Sequence, residues 1–179
     1  MKRKTDEVEV TIKFKENEEP VIETGDSTLD HLLGTLLFYM KAPAQISASG
    51  DLPHHLWEDT GILFGKTIRK KLEDFKIARY GSAIIPMDEA LVLCAVDISR
   101  PHLNFELNPP EEEKNFSPVL ARQFLAGLSR SLEATVHLKQ LSGRNSHHVI
   151  EGAFKALGVS LNQALKSSER LETTKGWLD

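Results

Sequence analysis

The sequence predicts an α+β fold in which antiparallel or mixed sheets are backed by helices. Short segments alternate polar and apolar residues, as half-buried strands do, and longer segments carry apolar residues at helical spacing. The two kinds of segment are mixed along the chain without the strict strand–helix–strand rhythm of a parallel sheet. The 179 residues are enough for one domain or one duplicated unit.

The elements of the first half follow from these patterns. Residues 7–14 alternate and include β-branched side chains, and Thr28 is the expected N-cap of the first helix. The segment 50–53 is typical of a turn. The elements expected in this half are a strand at 7–14, a helix at 28–41, a strand at 44–49 and a helix at 54–74.

The second half repeats this mixture of strands and helices. We expect Pro86 to interrupt the chain before a long strand, and Ser117 followed by Pro118 to begin a helix as its N-cap and first proline. The expected elements are a strand within 83–98, a strand at 102–107, a helix at 117–132, a strand at 135–141 and a helix at 147–166.

Composition and charge argue against several classes of function. The chain has 22 basic and 26 acidic residues, a net charge of −4, which argues against electrostatically driven nucleic-acid binding. No apolar run approaches the roughly 20 residues that cross a membrane, and no secretory signal is visible, so we expect a cytoplasmic protein without membrane contact. Cys94 is the single cysteine, which excludes intrachain disulfides and thiolate-clustered metal sites.

Four of the seven histidines lie in two copies of one motif. The segments 49–58 and 142–151 both have the pattern S-G-x-x-x-H-H-x-x-E, at an offset of 93 residues. The same offset relates Gly65 to Gly158, and each copy follows an expected strand and begins an expected helix. We therefore predict a single domain, 1–179, made of two fused repeats at about 1–88 and 89–179.

Helical geometry limits what each motif can bind. Residues three or four apart lie on one face of a helix, so Glu58 is a neighbour of both His54 and His55. The two adjacent histidines point about 100° apart, so we expect each to bind a different metal ion. Nitrogen and carboxylate ligands without sulfur suit Mn, Fe, Co, Ni or Zn, and a six-coordinate site favours Mn²⁺ over tetrahedral Zn²⁺.

Two further histidines are expected to complete the ligand sets. His31 lies on the first helix, and His137 lies on the strand before the second motif, where alternation could direct it towards the same surface. His102 is interpreted as structural or solvent-exposed, and Asp59 as either a partner of an imidazole N–H or an acid that favours the helix N-terminus. The predicted ligands, enough for two ions, are His31, His54, His55, Glu58, His137, His147, His148 and Glu151.

These residues and several segments around them resemble one enzyme family. The segments are 3–7, 29–33, both H-H-x-x-E motifs, 79–81, 86–91, 97–101, 135–138, 143–148, 154–156 and 174–176. In this order, and almost from end to end, the chain resembles the imidazoleglycerol-phosphate dehydratase family of histidine biosynthesis.

The resemblance implies a duplicated α+β fold in which each half is a four-stranded mixed sheet with helices packed on one face. It implies two Mn²⁺ ions per active site, held by the same eight ligands, and a large homo-oligomer (a 24-mer in the family) with sites shared between chains. The candidates for the catalytic carboxylate that carries the proton are Glu7, Glu58 and Glu151, and the sequence does not distinguish between them. The implied substrate contacts are Glu7, Tyr39, Arg79, Arg100, Lys155, Thr173, Thr174 and Lys175.

The implied reaction is the metal-dependent dehydration of imidazole-glycerol phosphate to imidazole-acetol phosphate. This small phosphate ester would be held as an imidazolate between two metal ions, which act as template and Lewis acid. Two other functions remain open. One is a dinuclear metallohydrolase. The other is a catalytically impaired metal-binding paralogue, since Tyr39 stands where the family commonly has a histidine.

Overall fold

The computed structural model describes residues 1–72, 76–111, 113–169 and 172–173. The first half contains β1 (Lys2–Lys4), β2 (Val8–Phe14), β3 (Val21–Glu23), α1 (Ser27–Met40), β4 (Ala44–Gly50) and α2 (Pro53–Lys71). The second half contains β5 (Tyr80–Met87), β6 (Ala90–Ile98), β7 (His102–Glu106), α3 (Pro118–Leu132), β8 (Ala134–Ser142) and α4 (Ser146–Ala164). Strands and helices therefore follow the same order in both halves.

The two halves form two four-stranded sheets with the same topology. The strand orders are β1-β2-β4-β3 and β5-β6-β8-β7. In each sheet the first three strands pair antiparallel, and the last strand, β3 or β7, runs parallel to its neighbour. The helices α1 and α3 provide the crossover that a parallel pair requires. The predicted α+β fold with duplicated halves is confirmed.

Three strands differ from the sequence prediction. β1 and β3 have three residues each, which is too short for alternation to reveal them. β5 continues through Pro86, where we expected an interruption, because β5 is an edge strand and tolerates a residue without an N–H group. Because β5 pairs with β6, it belongs to the second sheet. The boundary between the two sheets along the chain therefore lies between Lys71 and Tyr80, whereas the sequence placed the repeat boundary at about residue 88.

The N-cap of α1 is Asp26, whereas Thr28 lies inside the helix. Oδ1 of Asp26 accepts hydrogen bonds from the backbone N–H groups of Thr28 and Leu29, at 2.9 and 3.1 Å. Its other oxygen accepts from the indole N–H of buried Trp57 in α2, at 2.9 Å. Asp26 therefore stabilises the start of α1 and joins it to α2.

The four helices lie between the two sheets. The first sheet is covered by α1 and α2 and the second by α3 and α4, while α2 packs against α3 and α1 packs against α4. The buried apolar side chains of both halves form one continuous cluster, which includes Trp57, Phe64, Phe124 and Phe154. No helix in the described part of the chain is long and apolar enough to cross a membrane.

Glycines allow α2 and α3 to approach each other closely. A Cβ atom on Gly61 would lie 2.1 Å from the carbonyl oxygen of Phe124, and one on Gly127 would lie 2.7 Å from that of Glu58. Both distances are far shorter than a van der Waals contact, and the obstacles are backbone atoms that cannot rotate away. This crossing therefore requires residues without a Cβ atom.

We expect Gly61→Ala to destabilise the protein by about 1–3 kcal/mol, because the added methyl group forces the two helices apart. Gly34→Ala is the matched control in α1, where the nearest atom to a Cβ would be Ile22 Cδ1 at 3.7 Å. The control should be neutral or stabilising by up to about 1 kcal/mol, because alanine favours the helix. Denaturant unfolding compares the two variants, and equal midpoints would contradict the steric role of Gly61.

Candidate metal centre

The second motif forms the start of α4. Asn145 caps this helix by accepting hydrogen bonds from the backbone N–H groups of His147 and His148, at 2.8 and 3.3 Å. Because His147 and Glu151 are four residues apart, their side chains lie side by side. Nε2 of His147 is 2.9 Å from Oε2 of Glu151, so the structure contains the neighbouring pair that the spacing predicts.

His31 of α1 reaches the same carboxylate from a second helix. Its Nε2 lies 2.7 Å from Oε2 of Glu151. One potential ligand atom from each of His31, His147 and Glu151 lies within 4.8 Å of the other two, and no second group of three is found in the described part of the chain. Two helices far apart in sequence thus bring two imidazole nitrogens and one carboxylate to a single point.

Glu151 is a buried carboxylate in this cluster. Burial raises its pKa, but hydrogen bonds from His31, Lys155 and His147 outweigh burial and lower the pKa to about 2. The Lys155 ammonium lies 3.0 Å from Oε1, the oxygen that the two imidazoles leave free. Glu151 is therefore ionised at neutral pH, as a metal ligand must be.

The donor set fits a divalent metal ion. Imidazole nitrogen combined with carboxylate oxygen suits Mn²⁺, Fe²⁺, Co²⁺ or Zn²⁺. The His147 ring is oriented by Phe116, which stacks on it with 4.0 Å between ring centroids. Nδ1 of the same ring lies 3.3 Å from Oε1 of Glu113, and a carboxylate on the second ring nitrogen is typical of metal-bound histidines.

An open groove borders these three side chains. Two of the predicted substrate contacts, Tyr39 and Lys155, lie in it beside His31 and Glu151. The groove is lined by Asp30, His31, Gly34, Thr35, Phe38, Tyr39, Glu151 and Lys155.

The first motif does not repeat this arrangement within one chain. Glu58 forms an ion pair with Arg130 of α3, with 3.0 Å between carboxylate oxygen and guanidinium nitrogen. The rings of His54 and His55 lie 4.2 Å apart, and Nδ1 of His55 is 2.8 Å from Oδ1 of Asp51. The hydrogen bond to Asp51 raises the pKa of His55.

His148 and His137 lie outside this cluster, although the His148 ring is only 5.6 Å from that of His147. Nδ1 of His148 is 2.6 Å from Oε2 of Glu89, and this hydrogen bond raises the pKa of His148. The alternation expected to direct His137 towards the second motif places it instead on the exposed face of its sheet, because its neighbours in β8 fill the face that the helices cover. There it lies 3.4 Å from Asn104, with the exposed His102 ring 5.7 Å away.

Three of the eight predicted ligands therefore converge in one chain. The other five lie outside that cluster among the described residues; they are His54, His55, Glu58, His137 and His148.

The guanidinium of Arg79 makes three hydrogen bonds within the protein. Its Nε and Nη2 donate to the two carboxylate oxygens of Asp97, at 2.6 and 3.0 Å, and its Nη1 donates to the carbonyl oxygen of Glu172, at 3.0 Å. The hydrogen bond to Asp97 raises the pKa of the Arg79 guanidinium. Arg79 thus ties the end of β6 to the C-terminal segment.

The remaining predicted substrate contacts come from three separate segments of the chain. Arg100 is exposed in the turn between β6 and β7, and Thr173 is half-buried. Glu7 is exposed, with its carboxylate 3.6 Å from Nδ1 of His55. Thr174 and Lys175 lie outside the described residues.

Asp59, interpreted from the sequence as a partner of an imidazole N–H or as an acid at a helix N-terminus, is bound to an arginine. Its carboxylate forms an ion pair with Arg3 of β1, at 3.0 Å.

Three carboxylates that sequence analysis did not single out form hydrogen bonds with predicted site residues: Asp51 with His55, Glu89 with His148 and Asp97 with Arg79. The contact between Asp51 and His55 could have been predicted from the sequence, because Asp51 precedes His55 by only four residues. Glu89 and Asp97 are 59 and 18 residues from their partners, so no local pattern reveals them.

Comparison with known proteins gives a consistent result. The family model described as imidazoleglycerol-phosphate dehydratase matches residues 24–161. Imidazoleglycerol-phosphate dehydratase of Pyrococcus furiosus is 48% identical over 179 residues, covering 99% of this chain and 100% of that protein. The protein of the same name from Desulforamulus reducens is 40% identical, covering 98% of this chain and 95% of that protein.

Solved structures extend the similarity to the fold. A crystal structure of IGPD from Pyrococcus furiosus in complex with (S)-C348 matches with a TM-score of 0.95 and 47% identity, covering 99% of this chain and 100% of that one. The imidazoleglycerol-phosphate dehydratase of Staphylococcus aureus matches with a TM-score of 0.84 and 32% identity, over 94% and 98% of the two chains. The predicted resemblance is confirmed: the chain belongs to the imidazoleglycerol-phosphate dehydratase family of enzymes.

Proposed function

We propose that this protein removes water from imidazole-glycerol phosphate to give imidazole-acetol phosphate, a step of histidine biosynthesis, with two Mn²⁺ ions per active site. Membership of the family supports the reaction and argues against the dinuclear metallohydrolase that the residues alone left open. The observation that carries the metal dependence is the convergence of His31, His147 and Glu151 within 4.8 Å.

The chemistry of the substrate explains why the proposed reaction would need metal ions. The proton that leaves is on a carbon without a neighbouring carbonyl, so the imidazole ring is the available electron sink. When bound, two Mn²⁺ ions would hold that ring as an imidazolate and act as Lewis acids. His31, His147 and Glu151 would supply part of one ligand set, while Lys155 holds the second oxygen of Glu151 at 3.0 Å.

Among the three predicted catalytic carboxylates, Glu7 is the most accessible to a substrate. Its side chain is 59% exposed, compared with 39% for Glu58 and 10% for Glu151. Glu58 is held by Arg130, and Glu151 is held by two imidazoles and a lysine. These partners engage the oxygens of Glu58 and Glu151, so we assign the proton transfer to Glu7.

The substrate phosphate requires cationic partners. Arg100 is exposed and so accessible to a phosphate group, and Lys155 lines the groove, where its ammonium also pairs with Glu151. Arg79 commits its guanidinium to Asp97 and to the carbonyl oxygen of Glu172. We assign Arg79 the role of holding the C-terminal segment, which continues from Glu172 to the predicted phosphate contacts.

A second copy of the chain would complete the metal sites. In the described part of one chain only three potential ligands converge, whereas an octahedral Mn²⁺ ion takes six. The exposed His54 and His137 remain accessible to another copy of the chain. This separation supports a homo-oligomer in which the sites are shared between chains.

Turnover of imidazole-glycerol phosphate by metal-free protein tests the proposed function. We expect no product without metal and formation of imidazole-acetol phosphate after addition of Mn²⁺, because the clustered ligands need the ion to act on the ring. Elemental analysis of active protein should give about two Mn²⁺ ions per chain. Fully loaded protein without turnover would favour the metal-binding paralogue that has lost catalysis.

Glu151→Gln should weaken Mn²⁺ binding by more than about tenfold and lower the activity with it, because the ligand loses its charge while its size is kept. Glu18→Gln is the matched control, since Glu18 is an exposed carboxylate that bonds to Lys15 and Gln45. Calorimetric titration of the metal-free variants measures the affinity. Equal Mn²⁺ affinity in the two variants would exclude Glu151 as a ligand.

Arg100→Ala should leave the Mn²⁺ content unchanged, because a guanidinium has no lone pair for a cation. We expect KM to rise about 10- to 100-fold, since a charge-assisted hydrogen bond is worth about 1.5–3 kcal/mol. Arg79→Ala is the comparison and should also lower the unfolding temperature, because it removes the bonds to Asp97 and Glu172. Steady-state kinetics measures the loss of substrate binding, and thermal unfolding measures the loss of stability. An unchanged kcat/KM in Arg100→Ala would reject the phosphate role of Arg100.

A further inference from the structure

A carboxylate outside the predicted ligand set holds the His148 ring. Glu89 lies in the turn between β5 and β6, and its Oε2 accepts a hydrogen bond from Nδ1 of His148 at 2.6 Å. Its other oxygen, Oε1, accepts from the backbone N–H groups of Arg144 and Asn145, each at 3.0 Å. One side chain thus joins the β5–β6 turn, the loop before α4 and the imidazole.

These bonds determine which nitrogen of neutral His148 carries the hydrogen. Oε1 of Glu89 is occupied by two backbone N–H donors, so Oε2 is left to accept from the ring, and a carboxylate only accepts hydrogen bonds. The hydrogen is therefore on Nδ1, and the lone pair is on Nε2, where it can bind a metal ion. Asp88 lies 3.6 Å from Nε2, which is beyond hydrogen-bond distance.

We propose that Glu89 is a positioning residue of the metal site, which fixes His148 in the Nδ1–H tautomer and holds the ring so that Nε2 is presented to the ion. The proposal rests on the proposed function, in which His148 is a metal ligand. Metal-bound histidines commonly donate their second ring N–H to a carboxylate, and loss of that partner costs about 10–100-fold in metal affinity. The two backbone bonds keep the Glu89 carboxylate in place for this role.

The first half contains a comparable pair with a different bonding pattern. Oδ1 of Asp51 accepts from Nδ1 of His55 at 2.8 Å and also from the backbone N–H of Leu52 at 2.7 Å. One oxygen of Asp51 takes both bonds, whereas Glu89 uses one oxygen for the backbone and the other for the imidazole. The amide variants of these two residues should therefore behave differently.

Glu89→Gln keeps the size of the side chain but replaces one acceptor oxygen by an NH₂ group, which only donates. The two backbone N–H groups require the amide oxygen, so the NH₂ group faces Nδ1 of His148. Nδ1 must then accept a hydrogen bond, and the ring hydrogen moves to Nε2, where it blocks metal binding. In Asp51→Asn the single amide oxygen can keep both of its bonds.

The test is a titration of the metal-free protein with Mn²⁺, followed by the electron paramagnetic resonance signal of free Mn²⁺. We expect Glu89→Gln to weaken one class of site by about 10–100-fold and Asp51→Asn to have a much smaller effect. Glu111→Gln is the charge control, because Glu111 pairs with Arg144 of the same loop at 2.7 Å and should bind Mn²⁺ as the wild type does.

Solid-state ¹⁵N spectra of the metal-free proteins provide a second measurement, at a pH where the imidazoles are neutral. One ring should change tautomer in Glu89→Gln and none in Asp51→Asn. An unchanged affinity and tautomer in Glu89→Gln would overturn the proposal, and so would an equal loss of affinity in either comparison variant, which would indicate an effect of charge alone. Wild-type protein that binds no Mn²⁺ would contradict the proposed function instead, and the ¹⁵N spectra would still decide the role of Glu89.

Discussion

The close contact between α1 and α4 is the constraint on which the candidate metal centre depends. A Cβ atom on Gly158 would lie 2.8 Å from the carbonyl oxygen of Leu36, so the contact requires glycine. One to two turns from this crossing towards the N-termini of the two helices lie His31 and Glu151, whose side chains meet at 2.7 Å. Helices separated by the thickness of a side chain would not let these two groups reach one point.

The same helix packing occurs twice between the two halves, but the side chains beside the two contacts differ. Gly65 is equivalent to Gly158 by the offset of 93 residues, and it lets α2 approach the backbone of α3. Near that crossing Glu58 meets a guanidinium, Arg130, whereas Glu151 meets two imidazoles and a lysine. Duplication therefore repeats the backbone contacts that bury the core, while the polar side chains at the helix starts follow separate roles.

Carboxylates hold several of the predicted functional cations and imidazoles in defined positions. Asp97 binds Arg79 through two hydrogen bonds, and Glu89 holds His148 at 2.6 Å. Such groups keep their orientation before a metal ion or substrate arrives, so less conformational entropy is lost on binding. Arg79 is an example: its guanidinium donates to Asp97 and to the carbonyl oxygen of Glu172, so its direction is fixed by the protein itself.

The sequence by itself determined the duplicated α+β fold, most of the strands and helices, and the pairing of His147 with Glu151, because these features depend on periodicity and on spacing along one element. It also identified the family through ordered motifs. Tertiary structure alone decided that His31 joins Glu151 across 120 residues of sequence, that Glu58 pairs with Arg130 across 72, and that Glu89 holds His148 across 59. It also showed that β5 continues through Pro86 at a sheet edge and that His137 faces away from the helices. These outcomes depend on which elements pack together and how closely, and that is set by contacts between residues with no local relation in the chain.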